Sequence, residues 1–218
     1  MRRSSPSTAR ICTPGTGIVN SYGLTELPIA ASPEPTDPIE KLVTTVGRPS
    51  PGVEVRIVDG EIRLRGPQCF LGYVDPRLDA DAFDEDGWFR TGDLGEVDAD
   101  GNVRITGRLK DVIIRNAENI TALEVETILA THADVVDVAV IGVPDERTGE
   151  RVCAVVVPGA AAPTLADLAA HCTARGLARF KQPERLELVE VLPRNLAGKV
   201  LKRELQDRFR DQEGQGDG

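Results

Sequence analysis

An Asp-Gly pair, Asp59-Gly60, stands between two short runs in which apolar and polar residues alternate. The runs cover residues 53–57 and 62–65, and alternation with a period of two is typical of a half-buried β-strand. An Asp-Gly pair between two such runs is a strong short-range signal for a hairpin. The sequence therefore predicts a β-hairpin here, and it predicts a second one around Asp100-Gly101-Asn102.

From Gly107 onward the pattern changes to alternating helices and strands. Thr121-Ala122-Leu123-Glu124 has the form of a capping box, and apolar residues repeat after it with a helical period. Thr164 is the predicted N-cap of another helix, which Gly176 would end. The remaining candidates are strands at residues 135–143, 151–157 and 186–191 and a final amphipathic helix at residues 201–209. We expect an α+β protein with a small β-hairpin or distorted-barrel subdomain, followed by a compact α+β domain.

The overall charge argues against one class of partner. The 218 residues include 26 basic and 35 acidic side chains, and the formal net charge is -9. A nucleic-acid surface would need a clustered basic patch, so we expect no nucleic-acid partner. No apolar run approaches the roughly 20 residues that span a bilayer, so we expect no transmembrane segment. The four cysteines are widely spaced, so we expect free thiols in a reducing compartment and a cytoplasmic protein.

Candidate binding residues occur between Trp88 and Asp111. In this stretch the second predicted hairpin brings Asp93 and Arg108 to the two ends of a small β-structure, where both could face one ligand. A carboxylate can accept hydrogen bonds from two vicinal hydroxyls, and a guanidinium can donate to hydroxyl or phosphate oxygens. This combination suits a ribose.

Four segments, in this order and spacing, resemble the adenylate-forming superfamily, which includes acyl-CoA synthetases, adenylation domains of peptide synthetases and beetle luciferases. They are Tyr22-Gly23-Leu24-Thr25-Glu26; Arg90-Thr91-Gly92-Asp93-Leu94; Gly107-Arg108-Leu109-Lys110-Asp111 with Glu118-Asn119-Ile120 and Glu124-Val125-Glu126; and residues 192–199, which end in Gly198-Lys199. The resemblance covers roughly residues 14–209. Residues 138–145 resemble the acyl-CoA synthetase branch of this superfamily.

The resemblance implies an AMP-forming acyl-CoA ligase. In this family a carboxylate attacks the α-phosphate of ATP, and a thiol then attacks the acyl carbon and expels AMP. The implied cofactors are ATP, Mg²⁺ and CoA, and the implied partners are a small carboxylic acid and CoA. Both half-reactions develop negative charge on phosphate oxygens, so cations placed there should matter most.

The resemblance also implies roles for individual residues. Tyr22 would stack on adenine, Thr25 would bind phosphate and Glu26 would help to hold Mg²⁺, which prefers oxygen ligands. Asp93 would bind both ribose hydroxyls, and Arg108 would contact ribose or phosphate. The full set expected to bind ATP or AMP is Asn20, Tyr22, Gly23, Thr25, Asp93 and Arg108.

The catalytic residue implied by the resemblance is Lys199, whose long side chain would reach both the substrate carboxylate and the α-phosphate. Lys110 matches the hinge about which the C-terminal domain turns between the half-reactions. Rotation would remove Lys199 and bring a strand with Arg115, Asn116 and Ala117 to the active site, where it lines the thiol channel. Ala117 stands where relatives usually have glycine, which puts the thioester half of the reaction in doubt.

The resemblance divides the chain into parts. Residues 1–19 are a non-matching or remnant N-terminus, residues 20–107 the C-terminal portion of the AMP-binding domain, residues 108–212 the α+β lid domain and residues 213–218 a disordered tail. The family's Ser/Thr/Gly-rich phosphate loop and most of the large N-terminal domain are not found upstream of Tyr22. We therefore expect a C-terminal fragment without ligase activity alone, with the upstream part as a possible partner in trans.

Two other interpretations of the function of this chain stay open. The chain could be a non-catalytic remnant or interaction module that binds a partner through an apolar surface. It could also belong to an adenylation enzyme that delivers its acyl group to a carrier-protein thiol. Other sites are excluded by their residues: Gly198-Lys199 is followed by Val200 rather than Ser or Thr, as a Walker loop requires.

Overall fold

The computed structural model describes residues 19–210, and the chain divides into two compact units between Leu109 and Lys110. Predictions for residues 1–18 and for the tail beyond residue 210 lie outside the described residues. The two units are described in turn.

The first unit consists mainly of short strands. Its elements are β1 (Ala31–Ser32), α1 (Ile39–Thr44), β2 (Arg48–Pro49), β3 (Glu54–Val58), β4 (Glu61–Arg65), α2 (Asp79–Ala82), β5 (Phe89–Val97) and β6 (Val103–Arg108). β1 and β2 form a small antiparallel pair, and the other four strands form one antiparallel sheet in the order β3-β4-β5-β6. Within the described residues this sheet is an open meander, so the distorted-barrel form of the expectation is not seen.

Both predicted hairpins are confirmed. Asp59 and Gly60 have φ values of 52° and 82°, as a type I′ turn requires, and they connect β3 to β4. The second turn connects β5 to β6, where the Asp98 carboxylate accepts hydrogen bonds from the backbone N–H groups of Asp100 and Asn102. The core of this unit includes Ile62, Leu64 and Val103 of the sheet, which are fully buried.

The second unit contains a five-stranded sheet covered by helices on both faces. Its elements are β7 (Val112–Arg115), β8 (Glu118–Thr121), α3 (Ala122–Leu129), β9 (Val135–Asp145), β10 (Gly149–Pro158), α4 (Leu165–Ala174), β11 (Arg185–Leu188) and α5 (Lys202–Arg210). β9 and β10 form a long antiparallel hairpin, and β11 runs parallel to β10. The β7–β8 hairpin joins β10 through the pair of Arg115 and Gly149.

Alternate residues of β10 enter two separate cores, because successive side chains of a strand point to opposite faces. Val152, Ala154 and Val156 pack in a cluster with residues of α3 and α4. Cys153 and Val155 pack in a second cluster with residues of α5. The unit is therefore a three-layer arrangement of helices, sheet and helix. Its longest described helix, α4, has ten residues, and no described helix is long and apolar enough to cross a membrane.

The predicted capping box and the predicted N-cap have different outcomes. At the start of α4, the N-cap Thr164 is confirmed, and it forms a full capping box: Thr164 Oγ1 accepts from the Asp167 N–H and the Asp167 carboxylate accepts from the Thr164 N–H. At the start of α3, Thr121 is the N-cap but makes no side-chain capping bond, so that prediction is wrong. Glu124 binds the Lys181 ammonium instead, at 2.7 Å.

The strand predicted to carry Arg115, Asn116 and Ala117 is also corrected. Arg115 is the last residue of β7, while Asn116 and Ala117 form the turn to β8, with φ values of 49° and 64°. The Asn116 N–H donates to the Thr148 carbonyl at 2.8 Å, which holds this turn against the end of the β9–β10 hairpin. These residues therefore lie at a hairpin tip rather than along one strand.

Candidate nucleotide site

The segment with Tyr22 folds back on itself as a tight loop. The Tyr22 N–H donates to the Ala31 carbonyl at 2.9 Å, and the Ala30 and Ala31 N–H groups both donate to the Tyr22 carbonyl. Gly23 packs so closely under Pro28 that a Cβ there would overlap the Pro28 carbonyl. Only glycine fits this position without a backbone shift, so the loop that presents Tyr22 depends on Gly23.

Asp93 is aimed by an irregularity in the sheet. The pairing of β4 with β5 shifts register between Glu61 and Arg63, and the extra residues of β5 include Thr91 and Gly92. The Thr91 hydroxyl donates to the Ile62 carbonyl at 2.7 Å and accepts from the Asp93 N–H at 3.0 Å. The Glu61 carboxylate accepts from the Gly92 N–H at 3.1 Å. Such bulges re-aim a side chain, and here the side chain is that of Asp93.

Asp93, Tyr22 and Arg108 come together within the first unit. Asp93 and Arg108 are direct partners in the β5–β6 register, and Arg108 Nε lies 2.6 Å from Asp93 Oδ1. The Tyr22 hydroxyl donates to Asp93 Oδ2 at 2.7 Å. Burial, reinforced by the hydrogen bond to Asp93, raises the pKa of Tyr22 above its usual range, so this hydroxyl remains a donor at neutral pH.

This grouping limits access to Asp93. Only 3% of the Asp93 side-chain surface is exposed, against 36% for Arg108. The sequence suggested that Asp93 and Arg108 both face one ligand, whereas in the structure they bind each other. Each carboxylate oxygen retains a further lone pair for a hydroxyl donor. Of the two side chains that bind Asp93, Arg108 is partly exposed, whereas the Asp93 carboxylate itself is nearly closed to solvent.

The other predicted nucleotide residues have more exposed positions. Asn20 and Thr25 are exposed, while Glu26 is half-buried and its Oε1 accepts from the Tyr73 hydroxyl at 2.8 Å. Among residues 19–210 no three His, Cys, Asp or Glu side chains are grouped to hold a metal ion. Mg²⁺ is often held by one or two carboxylates together with substrate phosphates, so the single Glu26 carboxylate fits that role.

Lys199 lies in the second unit on a short exposed loop between the residue pair Arg194 and Val200. Asn195 organises this loop, because its Oδ1 accepts from the N–H groups of Ala197 at 3.0 Å and Lys199 at 2.9 Å. Arg194 donates to the Gly198 carbonyl and to Asp137, both at 2.6 Å. The backbone that carries Lys199 is therefore bound by the side chains of Arg194 and Asn195.

Sequence reasoning did not single out Arg194 or Asn195. A signal for Asn195 was available, because asparagine a few residues before a glycine is typical of a turn closed by its own side chain. The other predicted residues of this unit are Lys110, which is exposed in a 3-10 turn at Leu109–Asp111, and Arg115. Arg115 makes a two-point ion pair with Glu184, at 2.7 and 2.8 Å.

Two family models match the chain. The one described as AMP-binding enzyme matches residues 1–74, a range that includes the residues set apart above as a non-matching or remnant N-terminus. The one described as AMP-binding enzyme C-terminal domain matches residues 124–199. The matches thus cover the Tyr22 loop and the Lys199 loop.

Individual relatives are similar over most of the chain. A propanoyl:CoA ligase of Mycobacterium tuberculosis, whose acyl group carries a methyl-dioxo-octahydroindenyl ring, is 45% identical over 87% of this chain and 38% of its own length. The medium-chain fatty-acid–CoA ligase of Escherichia coli is 40% identical over 86% of this chain and 36% of its own.

A solved structure shows the same fold. ATP-bound MatB from Rhodopseudomonas palustris matches with a TM-score of 0.83 and 35% identity, over 90% of this chain and 41% of MatB. The chain therefore spans about two fifths of the length of the proteins it matches. Over the part of its length that these matches cover, the chain belongs to the adenylate-forming, or AMP-binding, superfamily.

Proposed function

We propose that this chain carries the ribose-binding and catalytic-lysine parts of an AMP-forming acyl-CoA ligase. The observation that carries the proposal is the position of Asp93, a buried carboxylate fixed by Tyr22 and Arg108 in the first unit. The same acid is predicted from the sequence to bind the two ribose hydroxyls. A carboxylate that is already oriented loses little free energy to reorganisation when ribose hydroxyls replace one of its present hydrogen-bond donors.

Each residue of this group has a proposed task. Asp93 accepts the ribose hydroxyls, and Arg108 turns from Asp93 toward ribose or phosphate oxygens, for which its planar guanidinium is suited. Tyr22 offers its ring to adenine while its hydroxyl holds Asp93 in orientation. Glu26 provides one oxygen ligand for Mg²⁺, which would neutralise phosphate charge.

Lys199 is the proposed catalytic residue in the second unit. Its ammonium draws the substrate carboxylate and the α-phosphate together and neutralises charge that develops in the transition state. The loop held by Asn195 and Arg194 supports this role, since a fixed backbone limits the positions that the ammonium samples. Lys110 is the proposed pivot, and the Asn116-Ala117 turn is the proposed thiol-channel element.

For the thiol acceptor and the acyl group we propose only the chemical class. Both curated relatives named above are CoA ligases by name, so CoA is the proposed thiol, and a carrier-protein thiol is the alternative. The residues of the family's phosphate loop are not found among the 218, so we expect no activity from this chain alone. ATP–pyrophosphate exchange by the purified chain with any carboxylate would contradict that expectation.

A second candidate function, an interaction module, is favoured by one observation. Leu71 and Val74 are fully exposed in the first unit, and Ile29 and Leu78 are about half exposed. Where exposed apolar side chains form one large contiguous patch, they mark an interaction surface. Sedimentation of the purified chain would favour this candidate if it showed a dimer that Leu71→Ser and Val74→Ser together abolish.

The ribose proposal is tested by AMP binding to the chain in equilibrium dialysis. Asp93→Asn should weaken binding by roughly 10- to 100-fold, since charge-assisted hydrogen bonds contribute about 1.5–3 kcal/mol. Asp81→Asn, at an exposed position of α2, makes the same change of charge and should leave binding unaltered. Equal binding by all three proteins, or no binding by the unaltered chain, would contradict the proposal.

A further inference from the structure

Lys202 lies between two carboxylates of the second unit. It is the first residue of α5, and its Nζ is 2.7 Å from Glu126 Oε1 and 3.8 Å from Asp111 Oδ2. All three side chains are largely buried, with exposed fractions of 18%, 18% and 23%. Ion pairs at such positions are less screened by solvent than pairs on the surface.

Glu126 is itself held in place from two directions. It belongs to α3, and its Oε1 also accepts from the Val140 N–H at 2.7 Å. Val140 is a buried residue of β9, so this bond fixes the carboxylate against the central sheet. Lys202 therefore binds a carboxylate whose position is fixed by the sheet. An ammonium with three donors is suited to bind two carboxylates at once.

The ion pairs of Lys202 connect two parts of the second unit that are far apart in the sequence. Asp111 directly follows Lys110, the proposed pivot, and Lys202 comes three residues after Lys199. The chain between Asp111 and Lys202 makes up nearly the whole second unit, yet the Asp111 carboxylate lies 3.8 Å from the Lys202 ammonium, which also binds Glu126. The start of the unit and the chain just after the Lys199 loop are thus linked through the Lys202 ammonium, which is also bound to α3 through Glu126.

We propose that Lys202 is a positioning residue that holds the Lys199 loop in a fixed relation to the pivot segment. The inference rests on the proposed function, because it assumes the roles of Lys199 and Lys110. The other end of the loop is held independently by Arg194 through Asp137 and Gly198. When the unit turns about Lys110, Lys202 ensures that Lys199 moves with it and does not lag behind.

A positioning role and a merely structural one differ in where they act. If Lys202 only stabilises the fold, its loss increases hydrogen exchange throughout the unit in proportion to the lost stability. If it positions the loop, exchange increases at amides of the loop and of residues 111–114, while the core strand β10 is unaffected. The Lys199 and Leu201 N–H groups are suitable probes, since both donate within the loop region.

The test is amide hydrogen exchange on the full 218-residue chain, with no nucleotide present. Lys202→Met should increase exchange at Lys199, Leu201 and residues 111–114 at least about tenfold, with Val152–Val156 unchanged. Glu126→Gln should give the same pattern, and Lys202→Arg should restore most of the protection. Arg203→Met, at the adjacent exposed position, is the matched control and should change nothing.

Two results would overturn the inference. One is a uniform increase in exchange that includes Val152–Val156, and the other is no local increase in either variant. If Lys202→Met does not fold, Glu126→Gln and Lys202→Arg decide the question, because both nearly preserve side-chain volume. Since no readout uses AMP or ligase activity, failure of AMP binding with the local pattern intact would overturn the proposed function and leave this arrangement standing.

Discussion

Ala117 has a backbone conformation that L-residues other than asparagine and aspartate seldom adopt. Its φ is 64°, and that of Asn116 before it is 49°, so both central positions of the β7–β8 turn are left-handed. Such turns favour Asn-Gly, because asparagine tolerates this region and glycine has no Cβ. The resemblance to the family also led us to expect glycine at position 117. The structure supplies the physical reason, which is backbone strain at a hairpin tip.

Ala117→Gly should therefore stabilise the second unit. Glycine removes the strain of the left-handed backbone in the folded state, and this gain exceeds the free-energy cost of the greater entropy that glycine gives the unfolded chain. We therefore expect the free energy of unfolding to rise by roughly 0.5–1 kcal/mol. Helical circular dichroism during urea unfolding reports mainly on this unit, because the three longest described helices, α3, α4 and α5, belong to it. Asn116→Gly is the matched control and should gain less. A lower urea midpoint for Ala117→Gly would contradict the account of the turn.

Single-residue contacts also show how far sequence reasoning reaches. The pairing of Asp93 with Arg108 could be predicted, because hairpin pairing of β5 with β6 brings them opposite each other. The bond from Tyr22 to Asp93 spans 71 residues, and nothing in local periodicity indicates it. The low exposure of the Asp93 side chain could not be predicted either, since one of its partners, Tyr22, comes from a loop that is distant in the sequence.

Among the elements, the Tyr22 loop depends on one glycine. Gly23→Ala places a methyl group against the Pro28 carbonyl, and we expect a loss of roughly 1–3 kcal/mol in the stability of the first unit. Trp88, the only tryptophan of the chain, lies in that unit, so its fluorescence during urea unfolding measures the change. Thr25→Ala, at an exposed position of the same loop, should have little effect. Equal midpoints for the two variants would show that Gly23 is dispensable.

The helix starts show why a correct local pattern can still fail. Thr121 and Thr164 both precede an acidic residue by three positions, yet only Thr164 forms the reciprocal bonds. Glu124 is bound by Lys181, which lies 57 residues away in the sequence. The capping signal is local, while the competing ion pair depends on the tertiary fold. The hairpins were predictable because their signals, an Asp-Gly pair and alternation, have no distant competitor.

The contact between α3 and α4 should make the second unit sensitive to acid. His171 of α4 is half-buried and packs edge-on against His132, with ring centroids 5.0 Å apart, near Thr131 and Arg175. Burial lowers the pKa of His171 below its usual value, and the Arg175 and His132 charges act in the same direction. The unfolded chain then binds more protons than the folded one at mildly acidic pH.

Stability should accordingly be complete above about pH 6.5 and fall as the pH drops from there toward the lowered pKa of His171. Urea midpoints from helical circular dichroism at pH 7.5 and 5.5 measure this difference. His171→Gln cannot take up the proton, so its midpoint should change less between the two pH values. A loss on acidification as large in His171→Gln as in the unaltered chain would contradict this explanation.

The molecule as a whole combines two units with different proposed tasks. The first contains Tyr22, Asp93 and Arg108, and the second contains Lys110 and the loop of Lys199. Family matches fall on both units, and both relatives and solved structures extend well beyond this chain. The α+β class and the change of pattern near Gly107 could be predicted from periodicity. The three-layer form of the second unit could not, because it depends on which faces of β9 and β10 receive the helices.

The most direct test of the central claim compares AMP with its 2′,3′-dideoxy analogue in binding to the 218-residue chain. The two ligands share base and phosphate and differ only in the hydroxyls assigned to Asp93. We expect the analogue to bind at least about tenfold more weakly to the unaltered chain, and the two to bind alike to Asp93→Asn. Equal affinity of the unaltered chain for both nucleotides would contradict the assignment of Asp93 as the ribose-binding residue.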